Sequence, residues 1–203
     1  MFTEENPDAS VYSQSEEIKV AMPYVVAAAE KLGYNLNRMA ISGGSAGGCL
    51  ALIYAYRDAD TSPVPVRLVF EAVGPGSFYV EDWGIFGLDQ SAEAAAGLFS
   101  VMSGQTISPK DIASGAYLEA VKPISADRWV TKDTVPSVLC YGVHDKMQPF
   151  AASKPLVAAL EENGVDYRYF VAEHSGHGLQ NDKKVYMAYL DAVEEYLDKY
   201  MRE

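Results

Sequence analysis

The sequence predicts an α/β fold, a mostly parallel sheet with helices on both faces. Three observations predict it. Short apolar runs alternate with segments of helical periodicity along the whole chain. Successive runs are separated by enough residues for helical crossovers, which parallel strands require. A glycine cluster, Gly43-Gly44-Ser45-Ala46-Gly47-Gly48, falls between a strand and a helix. In open sheets of this kind, chemistry sits at the carboxyl ends of the strands.

The elements follow in order. The first dozen residues are polar and read as a loop. Ile18, Ala21, Met22, Val25, Val26, Ala29 and Leu32 then recur at helical spacing, and Gly33 is placed to end that helix. Arg38–Ser42 reads as a short strand, and Cys49–Tyr54 as part of the helix after the glycine cluster. Pro63 and Pro65 mark a loop, Val66–Phe70 is the next strand, and Gly74-Pro75-Gly76 closes it. From about Phe78 to Lys132 the pattern is irregular, an excursion or partial lid with helices expected at Ala92–Met102 and Pro109–Ala120. Strand character returns at Ser137–Tyr141 and Tyr167–Val171, with a helix between them that stops at Asn163-Gly164. The last helix carries Val185, Tyr189, Ala192, Val193, Tyr196, Leu197 and Tyr200 on one face.

The chain has 203 residues, 49% of them hydrophobic, which is enough for one core and one domain over 1–203. A formal net charge of −12 argues against nucleic acid and anionic membrane surfaces as partners. No apolar run reaches the length of a membrane span, and the first residues lack the basic start and apolar stretch of a signal peptide. The expectation is a cytoplasmic protein. Cys49 and Cys140 lie in apolar surroundings and read as buried free thiols. No Cys/His cluster has zinc spacing, so no zinc site is expected.

Three short segments carry the chemistry. The glycine cluster fits G-x-S-x-G around Ser45, in the strand–turn–helix setting of a nucleophile elbow. The serine must sit on a tight turn so that its hydroxyl stands above the sheet, and residues two before and two after must be small. The helix that follows points its first backbone N–H groups at the reaction centre. Gly44 and Ala46 are therefore candidates for binding substrate, with the Ala46 N–H as an oxyanion donor.

Asp145 directly follows the strand that ends at Tyr141, where a carboxylate is placed to orient an imidazole. His144 is a rival base, but its adjacency to the acid denies it a loop of its own. His177 follows the last strand between Gly176 and Gly178, in a loop free to bring an imidazole over the serine. His174 lies closer to the strand end and reads as structural. The order Ser45, Asp145, His177 is that of nucleophile, acid and base in one large hydrolase class.

GGSAGG, the G-x-x-D element Gly142–Asp145 and the GHG element Gly176–Gly178 resemble the α/β-hydrolase carboxylesterases of the hormone-sensitive lipase and acetyl-esterase type. So do Pro123-Ile124-Ser125 and Asp133–Ser137, as the approach to the acid-bearing strand. The resemblance covers the chain from about Ile18. It implies hydrolysis of short acyl or acetyl esters without metal or organic cofactor. Dipeptidyl-peptidase-like hydrolases share the elbow and the order, so peptide cleavage is the alternative. In that family Phe78–Lys132 is where a partial lid covers the site. Phe78 and Tyr79, with Trp83, Phe86 and Phe99, are candidates to line an acyl pocket.

The resemblance also shows a departure. Family enzymes carry strands before the helix at Ile18 and a His-Gly-Gly-Gly loop that supplies more oxyanion donors, and this sequence has neither. The chain reads as a piece of such an enzyme, or as a short protein that completes its site with another chain. A catalytically impaired, self-associating fragment is therefore a third expectation. The strand Arg38–Ser42 would become a sheet edge, and a bare apolar edge invites pairing. A homo-oligomer through the edge near Met39–Ile41 is expected.

Overall fold

The computed structural model describes residues 9–202. Its centre is a four-stranded parallel sheet in the order β1-β2-β3-β4, with β1 Met39–Gly44, β2 Val66–Ala72, β3 Ser137–Gly142 and β4 Tyr167–Ala172. Each strand pairs with the next through a helical crossover, as the alternation of apolar runs requires.

The first helix, α1 (Val11–Lys31), begins well before the expected position. Ser10 and Ser13 form a reciprocal capping box that satisfies backbone donors at the start, so the polar residues after Val11 join the helix. Residues 1–8 of the expected N-terminal loop lie outside the described residues. α2 (Ala46–Tyr56) follows β1 through Ser45 alone. The excursion contains α3 (Ala92–Ser103), α4 (Pro109–Ser114) and α5 (Tyr117–Val121). The last two replace the single helix expected over Pro109–Ala120. Gly115, at φ 80°, takes a left-handed conformation that ends α4. α6 (Lys154–Glu162) and α7 (Lys183–Met201) complete the chain.

The two faces of the sheet are covered unequally. α2 and α6 pack Leu52, Ala55, Leu156 and Leu160 against Val69, Leu139 and Tyr141 on one face. On the other, α7 sets Tyr189, Ala192, Val193 and Tyr196 against Leu68, Val138 and Cys140. A third cluster, around Phe78, Trp83 and Phe99, joins the excursion to α2. Strand alternation places Val69 and Glu71 on the α2 side and Leu68 and Phe70 on the α7 side. β3 is buried along its full length, as a central strand covered on both faces must be.

β1 stands at the edge of the sheet, and none of its residues is fully buried. α1 also keeps large apolar side chains in the open: Val20, Tyr24 and Val25 are 65%, 74% and 57% exposed. No helix among the described residues is long and apolar enough to cross a membrane.

Candidate active site

Ser45, Asp145 and His177 stand just beyond the carboxyl ends of β1, β3 and β4, so the parallel sheet delivers them to one end of the molecule. Ser45 carries φ 54° and ψ −125°, a conformation that a non-glycine residue adopts only when its surroundings impose it. The surroundings are visible. The Ser45 N–H donates to the Ala72 carbonyl of β2 at 2.9 Å, and the Cys49 N–H donates to the Ser45 carbonyl at 3.1 Å. A β-carbon on Gly43 would lie 2.1 Å from the Gly47 carbonyl oxygen, so strand and helix meet at the backbone. The small-residue requirement is thus met two residues before the serine. Two residues after it the reason differs, since a β-carbon on Gly47 would meet nothing.

Ala46 opens α2, where the first backbone N–H groups have no acceptor within the helix and face the end of the sheet that carries Ser45. Gly44, the last residue of β1, is exposed beside them.

Asp145 is buried, and both carboxylate oxygens are used. Oδ1 accepts the Met147 and Gln148 N–H groups at 2.7 and 2.9 Å, and Oδ2 lies 2.7 Å from His177 Nδ1. The turn thus fixes the carboxylate, and the carboxylate fixes the half-buried imidazole. No hydrogen bond joins His177 to Ser45 Oγ among the described residues.

The other two histidines are placed elsewhere. His144 is exposed and its N–H donates to the Ser175 carbonyl, which tethers the β3 and β4 loops. His174 is 76% exposed and its Nδ1 pairs with Asp182 at 2.9 Å. That hydrogen bond raises the pKa of His174. Asp182 in turn holds the Ser175 hydroxyl at 2.6 Å and the His174 N–H at 2.9 Å, so this cluster shapes the loop that carries His177.

An apolar cavity of about 160 Å³ opens beside Ser45. Ala46, Cys49, Pro75 and Trp83 line one part of it, and Val11, Met102, Met147 and Gln148 the rest. Phe78 and Tyr79 do not line it. Phe78 is enclosed in the core, stacked on Trp83 with ring centroids 5.3 Å apart. Tyr79 turns to a different groove, where its hydroxyl donates to Asp127 at 2.8 Å. A run of aromatics does not reveal which ring faces a cavity and which packs beneath it, and here Trp83 takes the wall. Val11 and Met102 carried no functional signal in the sequence. Gln148, three residues after Asp145, is the lining residue that its spacing from the acid could have found.

Cys49 and Cys140 are buried free thiols, and burial pushes both up to about 12. Among the described residues, no group of three or more His, Cys, Asp or Glu side chains is arranged to hold a metal ion.

Comparison with known proteins agrees with this architecture. The sequence pattern of the BD-FAE family matches residues 5–160. No curated protein matches the sequence. Among solved structures, an acetyl ester-xyloside bifunctional hydrolase from Caldicellulosiruptor lactoaceticus is 19% identical with a TM-score of 0.62, over 91% of this chain and 65% of that one. A thermophilic esterase from the Planctomycetes species Thermogutta terrifontis is 19% identical with a TM-score of 0.67, over 94% and 65%. A truncated form of a carbohydrate esterase from gut microbiota is 17% identical with a TM-score of 0.71, over 97% and 72%. At these identities the likeness is one of fold. The chain spans about 65% of the length of the first two of these proteins.

Proposed function

The chain belongs to the BD-FAE family of α/β-hydrolases, and from that premise we propose that it is a serine hydrolase cleaving short acyl or acetyl esters through an acyl-enzyme on Ser45. The observation that carries the reading is the pairing of a strained Ser45 at the β1–α2 junction with the Asp145–His177 contact at the same end of the sheet. The esterases among the structural neighbours support the ester class.

In this reading the Ser45 hydroxyl adds to the ester carbonyl carbon while His177 Nε2 takes its proton. Asp145 holds the Nδ1–H tautomer and stabilises the imidazolium. The Ala46 N–H receives the oxyanion. Collapse breaks the bond to the alcohol oxygen, which leaves with the proton from His177. Water then attacks the acyl-enzyme with His177 again as base, and the carboxylic acid departs. One oxyanion donor is worth roughly 10²–10³ in rate, so a site limited to Ala46 would be slow.

Covalent labelling of Ser45 by a fluorophosphonate, together with p-nitrophenyl acetate turnover abolished by Ser45→Ala, tests the assignment. Turnover unchanged in Ser45→Ala removes it. Cleavage of aminoacyl amides but not esters moves the reading to a peptidase. No labelling and no turnover, with a cooperative melt, leaves a folded but impaired piece of such an enzyme.

We also propose that the chain self-associates through the β1 edge. The supporting observations are that the uncharged strand Met39–Gly44 stands at the sheet edge with no further strand beyond it among the described residues, and that Tyr24 and Val25 of α1 are exposed.

A further inference from the structure

Glu71 is buried completely, on the α2 side of β2, in a position where a core residue is ordinarily apolar. Its Oε2 accepts the Gly74 N–H at 2.7 Å, while Oε1 has no partner among the described residues. A carboxyl left half-satisfied in a core costs stability that an apolar side chain would not cost, so packing alone does not account for it.

What it touches does. The Gly74 carbonyl accepts the Tyr141 hydroxyl at 2.8 Å, so the residue is held on both sides, by β2 through Glu71 and by β3 through Tyr141. Immediately before it, Val73 has φ 52°, a left-handed conformation that a β-branched residue keeps only under constraint. Immediately after it, Pro75 forms part of the cavity wall beside Ser45. Gly74 also presses on the helix that carries the serine. A β-carbon at Gly74 would lie 2.7 Å from the Cys49 nitrogen, from the Gly48 carbonyl carbon and from Glu71 Oε2 alike. A β-carbon at Gly48 would meet the same carboxylate oxygen at 2.7 Å. The Glu71 carboxyl, Gly74 and the first turn of α2 therefore form one contact with no room for a methyl group.

We propose that Glu71 is a positioning residue for Ser45: through the Gly74 N–H it holds the strained Val73–Pro75 turn against the first turn of α2, and so fixes both the nucleophile elbow and the cavity wall. The inference rests on the serine-hydrolase reading for its kinetic consequence, while its structural content stands on the Gly74 clamp. Placement errors near a nucleophile act on the reacting geometry more than on binding.

The test compares the wild type, Glu71→Ala and Glu71→Gln by kinetics on p-nitrophenyl acetate and by amide hydrogen exchange. Glu71→Gln keeps an acceptor for the Gly74 N–H. The expected result in Glu71→Ala is a kcat lowered by about tenfold or more with KM little changed, and exchange at Gly74 accelerated far beyond that of its β2 neighbours. Glu71→Gln is expected to restore both. Unchanged exchange at Gly74 in Glu71→Ala, or a uniform acceleration through β2, overturns the proposal. If Glu71→Ala does not fold, Tyr141→Phe removes the other half of the clamp and is read at the same amide with the same two outcomes. If the wild type turns over no ester, the hydrolase reading fails alone and the exchange result still decides the clamp.

Discussion

Asp145 Oδ2 and His177 Nδ1 lie 2.7 Å apart although 32 residues separate them in the chain. The contact exists because β3 and β4 are parallel neighbours whose carboxyl ends emerge side by side. The carboxylate is further pinned by two backbone N–H groups of its own turn.

That arrangement separates two roles of Asp145. Asp145→Asn keeps an acceptor for the turn but cannot hold His177 in the Nδ1–H tautomer as a carboxylate does. It is expected to lower kcat by about 10⁴ with the melting temperature little changed. Asp145→Ala also leaves two N–H groups without their acceptor and is expected to cost roughly 1–3 kcal/mol of stability besides. Ester kinetics and thermal melts on both variants check the split. Equal melts would show that the turn does not depend on the carboxylate.

The two glycines flanking the elbow should respond differently to a methyl group. At Gly43 it would lie 2.1 Å from the Gly47 carbonyl oxygen, a backbone atom that cannot swing aside. Gly43→Ala is expected to cost about 1–3 kcal/mol or more by overpacking. At Gly47 the methyl meets nothing, and Gly47→Ala within α2 should be neutral or stabilising by up to about 1 kcal/mol. Chemical denaturation of the two variants reads the difference, and comparable losses would contradict it.

Glu71 should leave a mark on stability against pH. Burial lifts its carboxyl from 4.5 to about 8, against the smaller opposing pull of the Gly74 N–H. Between those values the folded chain keeps a proton that the unfolded chain has released. Stability is therefore greatest below pH 4.5 as far as this group is concerned. It falls as pH rises, by at most about 1.4 kcal/mol per unit, and levels off above 8. Glu71→Gln should flatten that slope. Asp127, lifted to about 6 mainly by burial, contributes the same sign and leaves a residual slope at the acid end. Denaturant midpoints from pH 5 to 9 test it, and identical slopes in wild type and variant would refute the burial account.

Association through the β1 edge predicts a specific sensitivity on α1. Tyr24→Glu and Val25→Lys alter exposed side chains, so the fold should tolerate each within about 0.5 kcal/mol. Both should shift the light-scattering mass toward the monomer. A wild-type chain that stays monomeric at high concentration would sink the idea.

Much of the architecture was legible in the residues. Runs such as Val138–Tyr141 are continuously apolar because the strand is covered on both faces, and that pressure leaves a local pattern. The face Val185–Tyr200 of α7 was readable for the same reason. Where capping decided the outcome, periodicity missed it: α1 starts at Val11, directly after Ser10, because the Ser10 and Ser13 side chains bond reciprocally, not because apolar residues recur.

The sequence by itself determined the order of elements, the helical crossovers that make the sheet parallel, and the three segments holding Ser45, Asp145 and His177. Those depend on local periodicity and on residue types at fixed spacing. Only the tertiary structure decided that Asp145 meets His177, that Trp83 rather than Phe78 faces the cavity, and that Glu71 is buried against Gly74 beneath the elbow. Those depend on which strands are neighbours and how closely backbones approach, and contacts between distant segments leave no period in the chain that makes them.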